Sequence, residues 1–163
     1  MSGDVTIVEA DLADPAQARD VVAMTAAYAE DVMGNGGALA PEVLDRLVPA
    51  LREHPTTVVL LAYVGGAAVG IATCFIGFTT FAARPLLNIH DLAVVPEHRG
   101  RGVGRALLAA AEEAARRRGC VKLTLEVQQH NARARRVYEA AGFAQAHAGH
   151  EAGGALFYAR RLD

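Results

Sequence analysis

The residues with the clearest chemical potential lie in the run Val94-Val95-Pro96-Glu97-His98-Arg99-Gly100-Arg101-Gly102-Val103-Gly104-Arg105. Glycine at 100, 102 and 104 removes three Cβ atoms in alternation, so backbone N–H groups can converge and a ligand can come close. An apolar run, Leu87 to Val95, leads into this turn, and a helical pattern, Val103 to Arg118, leads out of it. The first N–H groups of a helix lack internal partners, and the helix dipole adds partial positive charge there. Strand, amide-rich turn and helix start together suit an anion, most naturally a phosphate. No Gly-Lys-Ser/Thr closes the turn, so it is not a P-loop. Nor is it the dinucleotide fingerprint, which follows the first strand of a βαβ unit and needs an acidic residue about 20 positions on. A plain Gly-rich connection between strand and helix would use the same residues, so the chain downstream has to decide.

Downstream, Asn131 stands seven residues before Tyr138, and Ala141-Gly142-Phe143 follows. Arg99-x-x-Gly102-x-Gly104 resembles the acyl-CoA pyrophosphate loop of the GNAT N-acetyltransferases (motif A), and the Asn131–Tyr138 segment resembles their motif B. The two motifs occur in that order at a fitting distance, and the resemblance covers about residues 56–146. It implies a single-domain α/β fold over residues 1–163, with a mixed, mostly antiparallel sheet flanked by helices. It implies acetyl-CoA as acyl donor, no metal, and acetyl transfer to a primary amine by direct attack on the thioester. In that family pattern the backbone of Leu92, Ala93 and Val94 pairs with the pantetheine arm like an added strand. Arg99, Gly100, Arg101, Gly102, Val103, Gly104 and Arg105 wrap the pyrophosphate, and Asn131 binds the pantetheine side. Tyr138 stands near the CoA sulfur as general acid, because the leaving thiolate must be protonated and a phenol in hydrogen-bond reach can do that. A core-packing tyrosine on an amphipathic helix is the plainer alternative.

Two residues compete for the base that takes the acceptor's proton. Glu126 projects opposite the apolar face of its strand, five residues before Asn131, and its spacing resembles the ribosomal-protein alanine acetyltransferases, where the matching Glu is the base. His90, in Ile89-His90-Asp91-Leu92, stands where diamine acetyltransferases carry the Glu of Glu-Asp-Leu. An imidazole ordinarily titrates near neutrality, which suits a base. Either could equally be a strand residue satisfied by hydrogen bonds. Asp91 is expected on the other side of its strand, in a structural role, and Arg116-Arg117-Arg118 as a solvated helix end.

The elements that must position these groups follow from pattern. Val5 to Glu9 reads as a strand. Asp14-Pro15 opens a helix to about Val32, and Gly34-Asn35-Gly36-Gly37 ends it. Pro41 opens a second helix to about His54, with a kink or break expected near Val48 because Pro49 lies inside it. Thr56–Tyr63 and Ala68–Phe78 read as antiparallel strands about Gly65-Gly66, followed by a loop, Thr79 to Pro85. Gly119 closes the helix after the glycine turn, and Val121 to Val127 alternates as a strand. Asn131 to Ala141 is a short helix stopped by Gly142; Phe143–Ala146 and Leu156–Arg160 are expected to form a final hairpin.

A chain of 163 residues with 52% apolar and 21% charged residues can bury a core and is not disordered. Residues 1–97 hold twelve Asp/Glu against four Arg, and residues 98–163 hold six against twelve Arg/Lys, so the phosphate-type turn falls in the basic half. Cys74 and Cys120 have neither zinc-type spacing nor a disulfide framework, which suits a reducing compartment. No signal peptide or membrane span is visible, so a cytoplasmic location without membrane contact is expected. No RNP or helix-turn-helix pattern supports nucleic-acid binding. The expected partner is a small-molecule or peptide amine, with a homodimer left open. A catalytically silent CoA-binding regulatory module is the rival reading; the intact Tyr138, Asn131 and glycine turn argue against it. The first two helices and their loop are net acidic, with Glu30-Asp31 beside the glycine loop, so an acceptor with a second positive charge is expected, unless these carboxylates are simply solvated.

Overall fold

A computed structural model describes residues 4–145 and 160–161. Five strands form one sheet in the order β1-β2-β3-β4-β5: β1 (Thr6–Glu9), β2 (Thr57–Val64), β3 (Ala67–Thr79), β4 (Arg84–Val94) and β5 (Leu123–Leu125). The first four pair antiparallel in chain order, and β5 joins β4 in parallel. Helix α3 (Val103–Arg117) covers one face, together with Val137 and Tyr138 of α4 (Ala132–Ala140). Helices α1 (Pro15–Glu30) and α2 (Pro41–Glu53) cover the other. The central strand β2 is apolar on both sides because both faces are covered: Val58, Leu60 and Ala62 pack with α3, while Val59 and Leu61 pack with α1 and α2.

The local signals act as their chemistry requires. Asp14 Oδ1 caps α1 by accepting from Ala16 N at 2.8 Å and Gln17 N at 3.3 Å, and Pro15 occupies the first helical position. Of the kink or break expected near Val48, the break does not occur: α2 runs continuously through Pro49. Proline forfeits one helical hydrogen bond, but Val48 and Leu51 on either side of it are buried against the sheet, and that packing carries the helix across. The expected loop from Thr79 is also shorter, because β3 extends to Thr79 and β4 begins at Arg84. Of the expected last hairpin, Phe143 to Gln145 carry no strand, and Ala146 and residues 156–159 lie outside the described residues.

β4 carries one residue more than β3 can pair. Cys74 pairs with Ile89 and Thr73 with Asp91, which leaves His90 as a bulge. One extra residue reverses the alternation of side chains. Leu87 and Ile89 face α3 before the bulge, Leu92 and Val94 face it afterwards, and Ala93 turns to the α1 face. The parallel ladder with β5 ends at the same place, its last pair being Ile89 with Leu125. Beyond it the two strands part, and β5 is three residues long rather than the seven expected, with Val121 and Val127 exposed.

Helix α3 lies tight on the sheet where β3 has a glycine. A Cβ on Gly70 would stand 3.1 Å from the Ala93 carbonyl oxygen and 3.2 Å from Leu107 Cδ1 and Val103 Cγ1. Gly70→Val should therefore push α3 off β4 and cost about 1–3 kcal/mol of unfolding free energy in urea titration, the usual range for overpacking.

Candidate active site

Where β4 and β5 part, a cleft of about 330 Å³ opens. Leu92, Ala93 and Val94 line it with a strand edge that has no partner strand beyond Ile89 among the described residues. Such an edge presents backbone donors and acceptors to an extended ligand. At the end of β4, Pro96–His98 makes a single 3-10 turn, and the glycine run follows.

Gly100 and Gly102 adopt φ of 73° and 85°, the left-handed region where glycine carries no steric penalty. Gly102 caps α3 without a side chain, and the first backbone bond of the helix is Ala106 N–H to Gly102 O at 2.9 Å. The amides of Val103, Gly104 and Arg105 are thus the unpaired donors of the helix start. A Cβ on Gly104 would touch the protein only at ordinary distance, 3.9 Å from Val137 and 4.0 Å from Val94. The space over it is free for a ligand, between the end of β4 and α4.

The cleft brings together most of the residues singled out in the sequence: His90, Leu92, Ala93, Val94, Arg99, Gly100, Gly104, Glu126, Asn131 and Tyr138 all line it. Gly102 and the exposed Arg101 and Arg105 stand at the turn outside this lining. Val103 directs its side chain into the core, 1% exposed, so only its backbone remains at the helix start. Asn131 caps α4, its Oδ1 accepting Ala134 N–H at 3.1 Å. Tyr138 is largely enclosed, its ring 6.2 Å from that of Phe143. Burial, and then the neighbouring Tyr28, push its pKa up to about 12, so the phenol keeps its proton throughout the neutral range. Glu126 lies one residue past the end of β5 and is exposed. His90 is exposed at the bulge, edge-on to Phe75 with ring centroids 5.7 Å apart. Asp91 is half-buried next to it; burial raises its carboxyl pKa, and His90 pulls the other way.

The facing wall comes from the end of α1 and the turn after it, through Tyr28, Asp31, Met33 and Gly34. Tyr28 sits among the apolar positions of α1, and nothing in its neighbouring sequence marks it as a cleft residue. Burial, then Asp91 and Asp31, raise its phenol pKa. Asp31 pairs with Arg99, whose Nε donates to the Val94 carbonyl at 2.8 Å. The expected acidic reserve beside the glycine loop is therefore partly committed within the protein.

A mixed sheet whose parallel strands part beside an amide-rich helix start leaves a slot suited to an extended, anionic ligand. A sequence model of the Acetyltransferase (GNAT) family matches residues 23–143, and the chain belongs to that family. An uncharacterized N-acetyltransferase of Bacillus subtilis (strain 168) is 32% identical over 99 residues, covering 61% of this chain and 66% of that protein. The streptothricin acetyltransferase of Streptomyces lavendulae is 40% identical over 82 residues, covering 50% of this chain and 43% of its own length. The chain thus spans less than two thirds of these curated relatives. Among solved structures, a transcriptional regulator from Bacillus halodurans C-125 superposes with a TM-score of 0.76 at 25% identity, over 92% of this chain and 99% of that one. No helix among the described residues is long and apolar enough to cross a membrane.

The Asp31 carboxyl is held below its ordinary value of 3.8, first by the Met33 N–H and then by Arg99. A depressed carboxylate contributes stability above its unfolded pKa and loses it as pH falls through the folded one. The melting temperature should fall as pH is lowered from about 5 to about 2, and Asp31→Asn should flatten that slope in a thermal-shift series.

Proposed function

We propose that this chain is an acetyl-CoA-dependent N-acetyltransferase acting on a primary amine. The observation that carries the reading is the single cleft that has the glycine turn at one end and Tyr138, Glu126 and His90 on its walls. The donor set fits the cofactor: unpaired amides of Val103, Gly104 and Arg105 suit a pyrophosphate, and the free edge of Leu92–Val94 suits the amides of a pantetheine arm. Acetyl-CoA supplies an activated thioester. Arg99, Gly100, Arg101, Gly102 and Arg105 lend the turn its charge and its open backbone. Asn131 offers its remaining amide N–H groups to the pantetheine side, since its carbonyl is engaged as a helix cap.

Tyr138 donates its phenolic proton or hydrogen bond to the sulfur as the thiolate leaves, a role supported by its place on the cleft wall beside Asn131 and Val137. Glu126 or His90 takes the proton of the attacking amine, directly or through water; both border the cleft. The acceptor enters along the wall of Tyr28, Met33 and Gly34. A small-molecule or peptide amine suits this opening, and a cytoplasmic location and a homodimer belong to the same reading.

Tyr138→Phe should lower kcat by about 10- to 100-fold while leaving the calorimetric affinity for acetyl-CoA nearly unchanged, since the lost interaction belongs to the transition state. Equal turnover by the variant would reduce Tyr138 to a packing residue. Acetyl-CoA binding by the wild type without thiol release across an amine panel would favour the silent module instead. For the base, kcat/KM profiles of Glu126→Gln and His90→Gln should differ: the variant of the true base loses the acidic limb. Two unchanged profiles would exclude both.

A further inference from the structure

One ion pair joins two walls of the cleft that are far apart in sequence. Asp31 directly follows α1, and its backbone carbonyl accepts Gly34 N–H at 2.8 Å. Its Oδ1 accepts Met33 N–H at 2.9 Å, and its Oδ2 accepts from Arg99 Nη2. Arg99 in turn donates from Nε to the carbonyl of Val94, the last residue of β4. One guanidinium thus ties the end of β4 to the turn after α1, across 68 residues. Both side chains are largely shielded, 26% exposed for Arg99 and 16% for Asp31. The turn is closed tightly: a Cβ on Gly34 would lie 1.9 Å from the Tyr28 carbonyl oxygen. A second cavity, of about 230 Å³, adjoins the cleft under α1, and Tyr28, Asp31 and Arg99 line both. The pair therefore stands in the partition between the two spaces.

From this geometry we propose that Asp31 is a positioning residue for the transfer reaction. Its carboxylate aims Arg99 at the glycine turn and at the same time holds Tyr28, Met33 and Gly34 as the acceptor-side wall. The inference rests on the acetyltransferase reading, because the anion that Arg99 would meet is the cofactor's pyrophosphate. A guanidinium presents its N–H donors in one rigid plane. Val94 O and Asp31 occupy two directions of that plane, and Nη1 has no acceptor among the described residues. A fork fixed in advance loses less side-chain entropy when a phosphate arrives. Because the same carboxylate also organises the turn after α1, removing its charge affects the cofactor and acceptor sites together.

Asp31→Asn keeps the shape and an oxygen for the Met33 N–H but removes the charge. Acetyl-CoA Kd by calorimetry and acceptor KM should both rise roughly fivefold, within the coupling range of groups in one ion-pair network, with kcat within about twofold. Asp31→Glu should recover part of both losses. In an Arg99→Gln background the Asp31→Asn change should add less than about twofold, because the pair acts as a unit. Additive effects would overturn the proposal, and so would a lowered melting temperature with unchanged Kd and KM. If Asp31→Asn does not fold, Arg99→Lys gives the same readouts: it keeps the charge but cannot hold both bonds. Failure of the wild type to bind acetyl-CoA would instead overturn the functional reading itself.

Discussion

The geometry of the cleft depends on the bulge in β4. Up to Ile89 this strand is an interior member of the sheet, paired with β3 on one side and β5 on the other. His90 then has no partner, the alternation reverses, and β5 drops away. A gap opened inside a sheet would normally expose unpaired backbone at a cost comparable to lost hydrogen bonds. Here the remaining anchors are strong enough to hold it: β4 stays paired with β3 up to Val94, and α3 packs its Val103 and Leu107 against Gly70 of β3 behind it. The unpaired edge therefore persists as a preformed slot that presents backbone donors and acceptors to an extended ligand.

Electrostatics and packing divide the labour around that slot. Arg99, Arg101 and Arg105 stand at the glycine turn, where the helix start already favours negative charge, while Arg116, Arg117 and Arg118 lie at the far end of α3 and pair with Glu9, Glu112 and Glu113. Most of them are exposed and worth little individually, since surface charges are screened. Arg99 differs because it lines the cleft and is tied there to the Val94 carbonyl and to Asp31. Tyr138 differs for another reason: burial, and then the neighbouring Tyr28, push its pKa up to about 12, and its ring lies 6.2 Å from that of Phe143.

Several site features were legible in the amino-acid sequence because their causes are local. Gly100 and Gly102 adopt a left-handed backbone, and Asn131 caps its helix three residues on, as neighbouring atoms alone require. The apolar double-sided run of β2 and the spacing of Asn131 and Tyr138 on one short helix belong to the same category. These signals sufficed for the fold class, for the family, and for most of the residues that border the cleft. They did not suffice for Val103, which looks like its neighbours in the turn yet points into the core.

What the tertiary structure alone decided is set by contacts between distant segments. The length of β5 depends on where β4 leaves it, and its own clean alternation from Val121 to Val127 carries no trace of that departure. Helix α2 crosses Pro49 because the sheet holds Val48 and Leu51, a burial free energy invisible to local propensity. Asp31 and Arg99 are each ordinary surface-type residues in sequence, and only the fold closes the 68 positions between them. Tyr28 likewise reads as one more apolar position on α1 until the end of that helix is laid across β4. Backbone conformation and helix capping are short-range and leave marks in consecutive residues; partner choice is long-range, and it is settled only when burial fixes which surfaces meet.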